Sequence, residues 1–243
     1  MEENWLTAIF NNRLAGLGNG ILGLVGMKAN DPAHPWETWL VMELLVIALL
    51  VAVTLVVRAS LSVDRPGKLQ HIFESLMEFL ESQAADVGIH HPRKYVNFFG
   101  TLFIFILAMN LIGVIPTLES PTMTVYVPAA LAACTWIYYH AMGVSELGLW
   151  QYLKSFGGPI LFLAPLMFFI EIIGHVARML SLTVRLYGNM FAGDQITNVF
   201  ISLTYLIVPV LFMGLHVFVA FLQAYVFTLL TMIYVSIGTS HEH

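Results

Sequence analysis

The sequence predicts an all-α integral membrane protein with about five transmembrane helices and one amphipathic helix along the membrane interface. Three observations carry that expectation. Hydrophobic residues make up 58% of the 243 residues and charged residues only 10%, against about 25% charged in a soluble domain. The apolar residues gather in runs of about 20 or more, the length one helix needs to cross about 30 Å of hydrocarbon. One stretch between the first two runs departs from that habit and spaces its apolar residues at helical intervals.

Composition also excludes several functions. The net charge is −5 with only 10 Lys and Arg, which argues against a nucleic-acid surface. Cys134 is the single cysteine, so neither an internal disulfide nor a Cys-based metal cluster can form. No cofactor or metal is expected, and no phosphate-binding loop occurs. The start, "MEENWLTAIFNNRLAG", lacks a positive region followed by an apolar core. Insertion is therefore expected to rely on the spanning helices.

The elements follow in order. Residues 1–37 read as an extramembrane segment, and residues 38–58 as the first span. Residues 66–88 follow, "PGKLQHIFESLMEFLESQAADVG". There Leu69, Ile72, Phe73, Leu76, Phe79 and Leu80 recur on one face, and Lys68, His71, Glu74, Glu78 and Glu81 occupy most of the other. Such a helix should lie on the membrane surface; packing against a soluble partner is the alternative. Residues 95–141 read as a transmembrane hairpin. Its first arm is 95–115, ending at Pro116, and its second is 123–141, broken near Gly143. From Ile160 the chain stays apolar almost to its end, with Pro209 as the expected turn. That gives helices at 160–206 and 210–238, a long hairpin whose first arm must tilt.

Positive charge sets the expected orientation. Arg58, Arg65, Lys68, Arg93, Lys94 and Lys154 fall on one side of this arrangement, and Arg13 and Lys28 on the other. The positive-inside rule then puts the N-terminus outside and the C-terminus in the cytoplasm.

Polar residues inside the apolar runs are the candidate site. At about 100° per residue, Glu171, His175, Arg178, Arg185 and Asn189 share a stripe less than about a quarter of the fourth helix's circumference. Asp194 falls on roughly the opposite side from Arg185, about 13 Å further along. His216 and Gln223, seven residues apart in the fifth helix, share a face. Plainer readings stand beside these. Arg178 can snorkel to the interface, and His175 can make a local bond to Glu171 at i, i+4. Glu43 sits near a span end, Asn110 suits a bond between helices, and His140 lies near a helix end. Gly174, Gly188 and Gly193 suit helix packing. Arg185 resists such a reading: Glu171 is about 21 Å away along the axis, so its counter-charge must come from another helix or another subunit.

Three stretches carry a family resemblance: "KYVNFFGTLFIFILAMNLIGVIP", "GPILFLAPLMFFIEIIGHVARMLSLTVRLYGNMFAGDQI" and "FVAFLQAYVFTLLTMIYVSI". From about residue 60 onward the chain resembles subunit a of the F-type ATP synthase, and its R-L-x-G-N-M-x-A-G motif is specific to that family. The resemblance implies that Arg185 is the indispensable arginine facing a rotor ring of c subunits. It implies that Asn189 is its polar neighbour and that Asp194 and His216 line the path from outside. Gln223 would face the arginine, and Glu171 would line access from the cytoplasm. His175 and Arg178 remain possible accessories. Gly113 and the shorter Asp194, where the family commonly has glutamate, are the departures.

The resemblance further implies a multi-pass subunit of the bacterial inner membrane. Its partners would be the c-ring, the b-subunit peripheral stalk, other synthase subunits and membrane lipids, with protons as the translocated ion. Such a subunit moves protons and binds no nucleotide itself. A proton-coupled secondary transporter would need repeated halves with matched broken helices, which the sequence lacks. A purely structural membrane subunit would not need a polar stripe through its longest helix.

Overall fold

The computed structural model describes residues 4–24, 31–62, 67–115, 117–156, 163–203 and 207–239. Among these residues all regular structure is helical: α1 (Trp5–Leu24), α2 (Thr38–Ala59), α3 (Lys68–Asp86), α4 (Pro92–Ile112), a 3-10 turn at Pro121–Met123, α5 (Tyr126–Leu147), α6 (Leu149–Ser155), α7 (Ala164–Leu203) and α8 (Ile207–Thr239). Four described helices are long and apolar enough to cross a membrane: α2, α4, α7 and α8. The fifth expected span, 123–141, falls mostly in α5, which is as long as α2 at 22 residues but is not among the four helices apolar enough to cross. Thr135, Trp136, Tyr138, Tyr139 and His140 make α5 less apolar. Lys28, Arg65, Pro116 and Ile160 lie outside the described residues.

Several boundaries differ from the sequence expectation for identifiable reasons. Pro209 was expected at the turn between the last two helices, but α8 already begins at Ile207. A proline is tolerated in a helix's first turn, where its missing N–H has no partner to lose. Gly143 was expected to break the second hairpin arm, yet α5 runs through it to Leu147. A Cβ at Gly143 would lie 2.5 Å from the Tyr152 ring and 2.8 Å from the Gly238 carbonyl. Gly143 therefore admits close packing inside a continuous helix. The helix stops at Gly148, whose φ of +80° suits a residue without a Cβ. The N-terminal segment contains a helix that the sequence reading did not anticipate. Asn11 fixes α1 to the start of α2, accepting from the Trp36 amide at 3.0 Å and donating to its carbonyl at 3.2 Å.

The core is centred on α4. More than half of its spanning window is buried (56%), against 17% for α7, so α4 is the post on which the other helices lean. Phe99, Ile106 and Met109 of α4 join Tyr139 of α5, Leu182, Leu186 and Met190 of α7, and Phe227 and Met232 of α8 in one buried cluster. Burial of side chains this large is worth roughly 1.5–3 kcal/mol each in water. Inside a bilayer their complementary packing matters instead. The α3 helix rests on α4 through Leu80 and Ala84, leaving Leu69, Ile72 and Phe79 exposed. Its far end is tied to α8, where Tyr225 donates to Gln83 at 2.7 Å and Ser236 donates to the Val87 carbonyl at 2.8 Å.

Length decides the attitude of α7. Its 40 residues run about 60 Å at 1.5 Å per residue, twice the hydrocarbon thickness. Such a helix must incline. One flank packs on α5 and α8, and the other leaves Ile170, Ile173, Val184 and Phe191 exposed.

Candidate functional site

The polar residues of α7 divide into two groups, one in its N-terminal half and one in its C-terminal half. The N-terminal group is tightly partnered. Glu171 Oε1 lies 3.4 Å from both His175 Nε2 and an Arg178 guanidinium nitrogen. Tyr139 of α5 places its hydroxyl 2.6 Å from His175 Nδ1, with the two rings nearly parallel at 5.6 Å. The Arg178 guanidinium also sits 5.6 Å from the Tyr234 ring centroid on α8, a cation–π distance. Arg178 therefore has partners on its own helix and on α8. His175 keeps the i, i+4 contact to Glu171 that its spacing suggested and adds one across to α5.

Next to this group lies a second imidazole. His140 Nδ1 is 2.6 Å from the Tyr152 hydroxyl on α6, and its ring lies 4.6 Å from that of His175. Burial pushes the Tyr152 phenol up to about 12, and the negative charge of Glu171 adds to the shift. Tyr152 thus keeps its proton at neutral pH. Sequence reasoning passed over Tyr139 and Tyr152 and placed His140 only near a helix end. Only Tyr139 and His140 adjoin in sequence, and nothing in their spacing points to α7.

The C-terminal group is sparse. Arg185 is half-buried; its guanidinium donates to Ser181 Oγ at 3.4 Å, one turn back on the same helix. Among the described residues it has no ion pair. Asn189 donates to Gln223 Oε1 of α8 at 2.7 Å, and the buried Gln223 Nε2 has no hydrogen-bond partner among the described residues. The structure thus joins Gln223 to Asn189, with no hydrogen bond to Arg185. Asp194 accepts from Asn198 at 2.9 Å and lies within electrostatic range of His216. The His216 ring packs over Gly193, and its buried Nε2 has no hydrogen-bond partner among the described residues. A cleft of about 230 Å³ opens here between α7 and α8, lined by Asn189, Gly193, Thr197, Phe212 and His216 among others. It is large enough for several waters, and His216, whose Nε2 lacks a hydrogen-bond partner among the described residues, lines it.

One further carboxylate approaches this end from the loop between α4 and α5. Glu119 is partly buried. Burial, and after it the negative charge of Asp194, push its carboxyl above the ordinary 4.5. A buried network anchors the loop: Ser120 donates to the Met109 carbonyl at 2.8 Å, and Thr122 donates to Asn110 Oδ1 at 2.8 Å. Asn110 in turn reaches the Ala220 carbonyl on α8 at 3.5 Å. It bonds between elements, as its position suggested. Glu43 lies within α2, apart from both groups.

Titratable side chains thus gather at two separated places along one helix, Glu171 and His175 before Arg185 in the chain and Asp194 after it. Comparison with known proteins bears on what such an arrangement serves. Residues 39–236 match the family described as ATP synthase A chain. The chain is 53% identical over 235 residues to ATP synthase subunit a of Solibacter usitatus, covering 97% of this chain and all of that protein. It is 44% identical over 242 residues to ATP synthase subunit a of Koribacter versatilis, covering 100% of this chain and 99% of the other. Against the protein of that name from Geotalea daltonii the identity is 39%, covering 91% and 93%.

Proposed function

The chain belongs to the ATP synthase A chain family, and from that premise we propose how it works as subunit a of the F-type ATP synthase. Two offset half-channels lead from opposite aqueous sides toward a rotor ring of c subunits, and Arg185 stands between them. Asp194, His216, Asn189 and Gln223 line the path from outside, and Glu171 lines access from the cytoplasm with His175 and Arg178 beside it. A rotor carboxylate nearing Arg185 is favoured in its ionised form, because a nearby opposite charge lowers its pKa. It gives up its proton to one half-channel, passes the arginine, and is reprotonated from the other. The fixed cation also bars protons from running directly between the half-channels, so flux must turn the ring. A guanidinium suits this because it stays charged at every working pH.

The observation that carries this reading is the contrast in partners. Arg178 faces Glu171 and Tyr234, whereas among the described residues Arg185 meets a serine hydroxyl at 3.4 Å and no carboxylate. A guanidinium within a spanning helix costs roughly 2.5–3.5 kcal/mol even on insertion scales. A counter-charge supplied by another subunit accounts for its retention. Arg185→Gln should insert and assemble normally yet abolish proton-driven ATP synthesis in inverted vesicles, measured per assembled complex. Near-normal coupled synthesis by that variant would defeat the gating role.

The same reading assigns partners and placement. The chain works against the c-ring, is held by the b-subunit peripheral stalk and the other synthase subunits, and sits in a bacterial inner membrane. Its N-terminus is outside, its C-terminus is cytoplasmic, and α3 lies along the cytoplasmic interface with Leu69, Ile72 and Phe79 toward the lipid. The charge bias supports this orientation. In a Cys134→Ser background, single cysteines at Asn12 and Ser82, both exposed, should label from opposite sides of sealed vesicles. Labelling of both from one side would overturn the orientation.

A further inference from the structure

We infer that Tyr139 is a positioning residue of the cytoplasmic half-channel: its hydroxyl holds His175 in the tautomer that points an N–H at Glu171. The inference rests on the assignment of Glu171 to that half-channel. His175 Nδ1 has two neighbours, the Tyr139 hydroxyl at 2.6 Å and an Arg178 guanidinium nitrogen at 3.5 Å. A guanidinium can only donate, and a phenol can donate or accept. Both neighbours are satisfied when Nδ1 carries a lone pair and Tyr139 donates to it. The imidazole proton then sits on Nε2, which faces Glu171 Oε1 at 3.4 Å. In the other tautomer an N–H would oppose the guanidinium N–H groups, and Nε2 would turn a lone pair toward the carboxylate.

The surroundings leave little else to choose the tautomer. Tyr139 is 2% exposed and His175 7%, so bulk water does not compete for their bond. Among the described residues the other polar groups around the pair are His140 and Tyr152, which are bonded to each other, and Tyr234, which lies against Arg178. The Glu171 side chain is 35% exposed, so it can face either water or the imidazole. At 3.4 Å the His175 N–H to Glu171 contact is not a completed hydrogen bond, and His175 Nε2 has no other partner. A small inward turn of Glu171 closes it. Tyr139 thereby defines an inward position for the carboxylate that takes the proton from the interior and releases it to cytoplasmic water. His175 keeps its own proton on Nε2 throughout.

A labelled complex and a double-mutant cycle test this. In the assembled synthase with nitrogen-15 histidine, the His175 signal, identified by its loss in His175→Gln, should be that of an Nε2–H tautomer; an Nδ1–H tautomer overturns the inference whatever the variants do. Tyr139→Phe should give a mixture of tautomers and lower ATP-driven proton pumping per complex by about threefold to tenfold, the scale of one neutral hydrogen bond. Glutamine at position 175 keeps a donor without a tautomer to choose. Tyr139→Phe should therefore cost nothing further in a His175→Gln background. An equal cost in both backgrounds, or an unchanged signal in Tyr139→Phe, overturns the positioning role. Normal pumping by Glu171→Gln would instead overturn the half-channel assignment and leave the tautomer result standing on its own.

Discussion

Arg178 and Arg185 sit two turns apart on one helix and face the same stripe, yet the two ends of α7 treat them differently. The N-terminal end surrounds its arginine with a carboxylate, an imidazole and a tyrosine face, all from this chain. The C-terminal end gives its arginine, among the described residues, one long bond to a hydroxyl. Buried polar groups in folded proteins are normally satisfied. Nitrogens that lack a hydrogen-bond partner among the described residues occur at both ends, on His140 and His175 at the first and on Gln223 and His216 at the second, so the difference between the two lies in what surrounds each arginine.

Charge-conserving exchange should break that comparison most sharply. Arg178→Lys keeps a cation beside Glu171 and Tyr234, both of which accept an ammonium as well as a guanidinium, so coupled synthesis should fall by no more than about threefold. Arg185→Lys loses the planar fork and admits deprotonation in a dry site. Synthesis should fall about a hundredfold or more, the usual scale for removing a principal electrostatic group. ATP synthesis by both variants in inverted vesicles, scaled to assembled complex, decides it. Equal losses would mean that the two arginines do the same work.

A smaller effect is expected at the open end. His216→Leu removes an imidazole beside the cleft, and Asp194→Asn removes a carboxylate within its electrostatic range. Each should slow proton entry from the outer side by about tenfold while leaving assembly intact. That is less than the hundredfold typical of a lone acid or base, because Glu119 and the remaining partner leave other titratable groups at that end. Silver ions should also reach cysteines placed along the cleft at Thr197 and Phe212, since a proton path must be wet. Unreactive cysteines together with unimpaired entry would close this end of the comparison.

What the sequence disclosed follows from the range of the forces involved. Spans were legible because hydropathy is a property of a run, and the polar stripe of α7 because helical spacing is fixed. Arg185, Asn189 and Asp194 came from a contiguous motif. The partners of Arg178 were not legible: Tyr234 lies on another helix, and whether an arginine near a span end snorkels or pairs depends on what packs beside it. Tyr139 and His140 looked like ordinary residues of a less apolar span until α6 and α7 were seen against them. Gly143 was misread for the same reason, because only the nearby Tyr152 ring and Gly238 carbonyl reveal why a glycine is there.

The smallest expected effect concerns the frame that holds α4 and α5 together. Glu146, near the end of α5, accepts from Lys94 at 2.5 Å and from Tyr95 at 2.8 Å. Those two bonds, the lysine's first, hold its carboxyl below the ordinary 4.5. A carboxylate with a lowered pKa contributes its stability above the unfolded value and loses it as pH falls through the lowered one. The tether should therefore be intact at neutral pH and fade only in acid. Its Lys94 partner is 47% exposed, so screening keeps its worth within about 1 kcal/mol. Glu146→Gln should lower the thermal midpoint of the detergent-solubilised complex slightly at pH 7 and not at all at strongly acid pH. Proton flux through either end of α7 should be unchanged, because the tether lies on α4 and α5 and touches neither group. A large loss of flux in that variant would mean that the partnered end is not self-sufficient and depends on the α4–α5 frame to stay assembled.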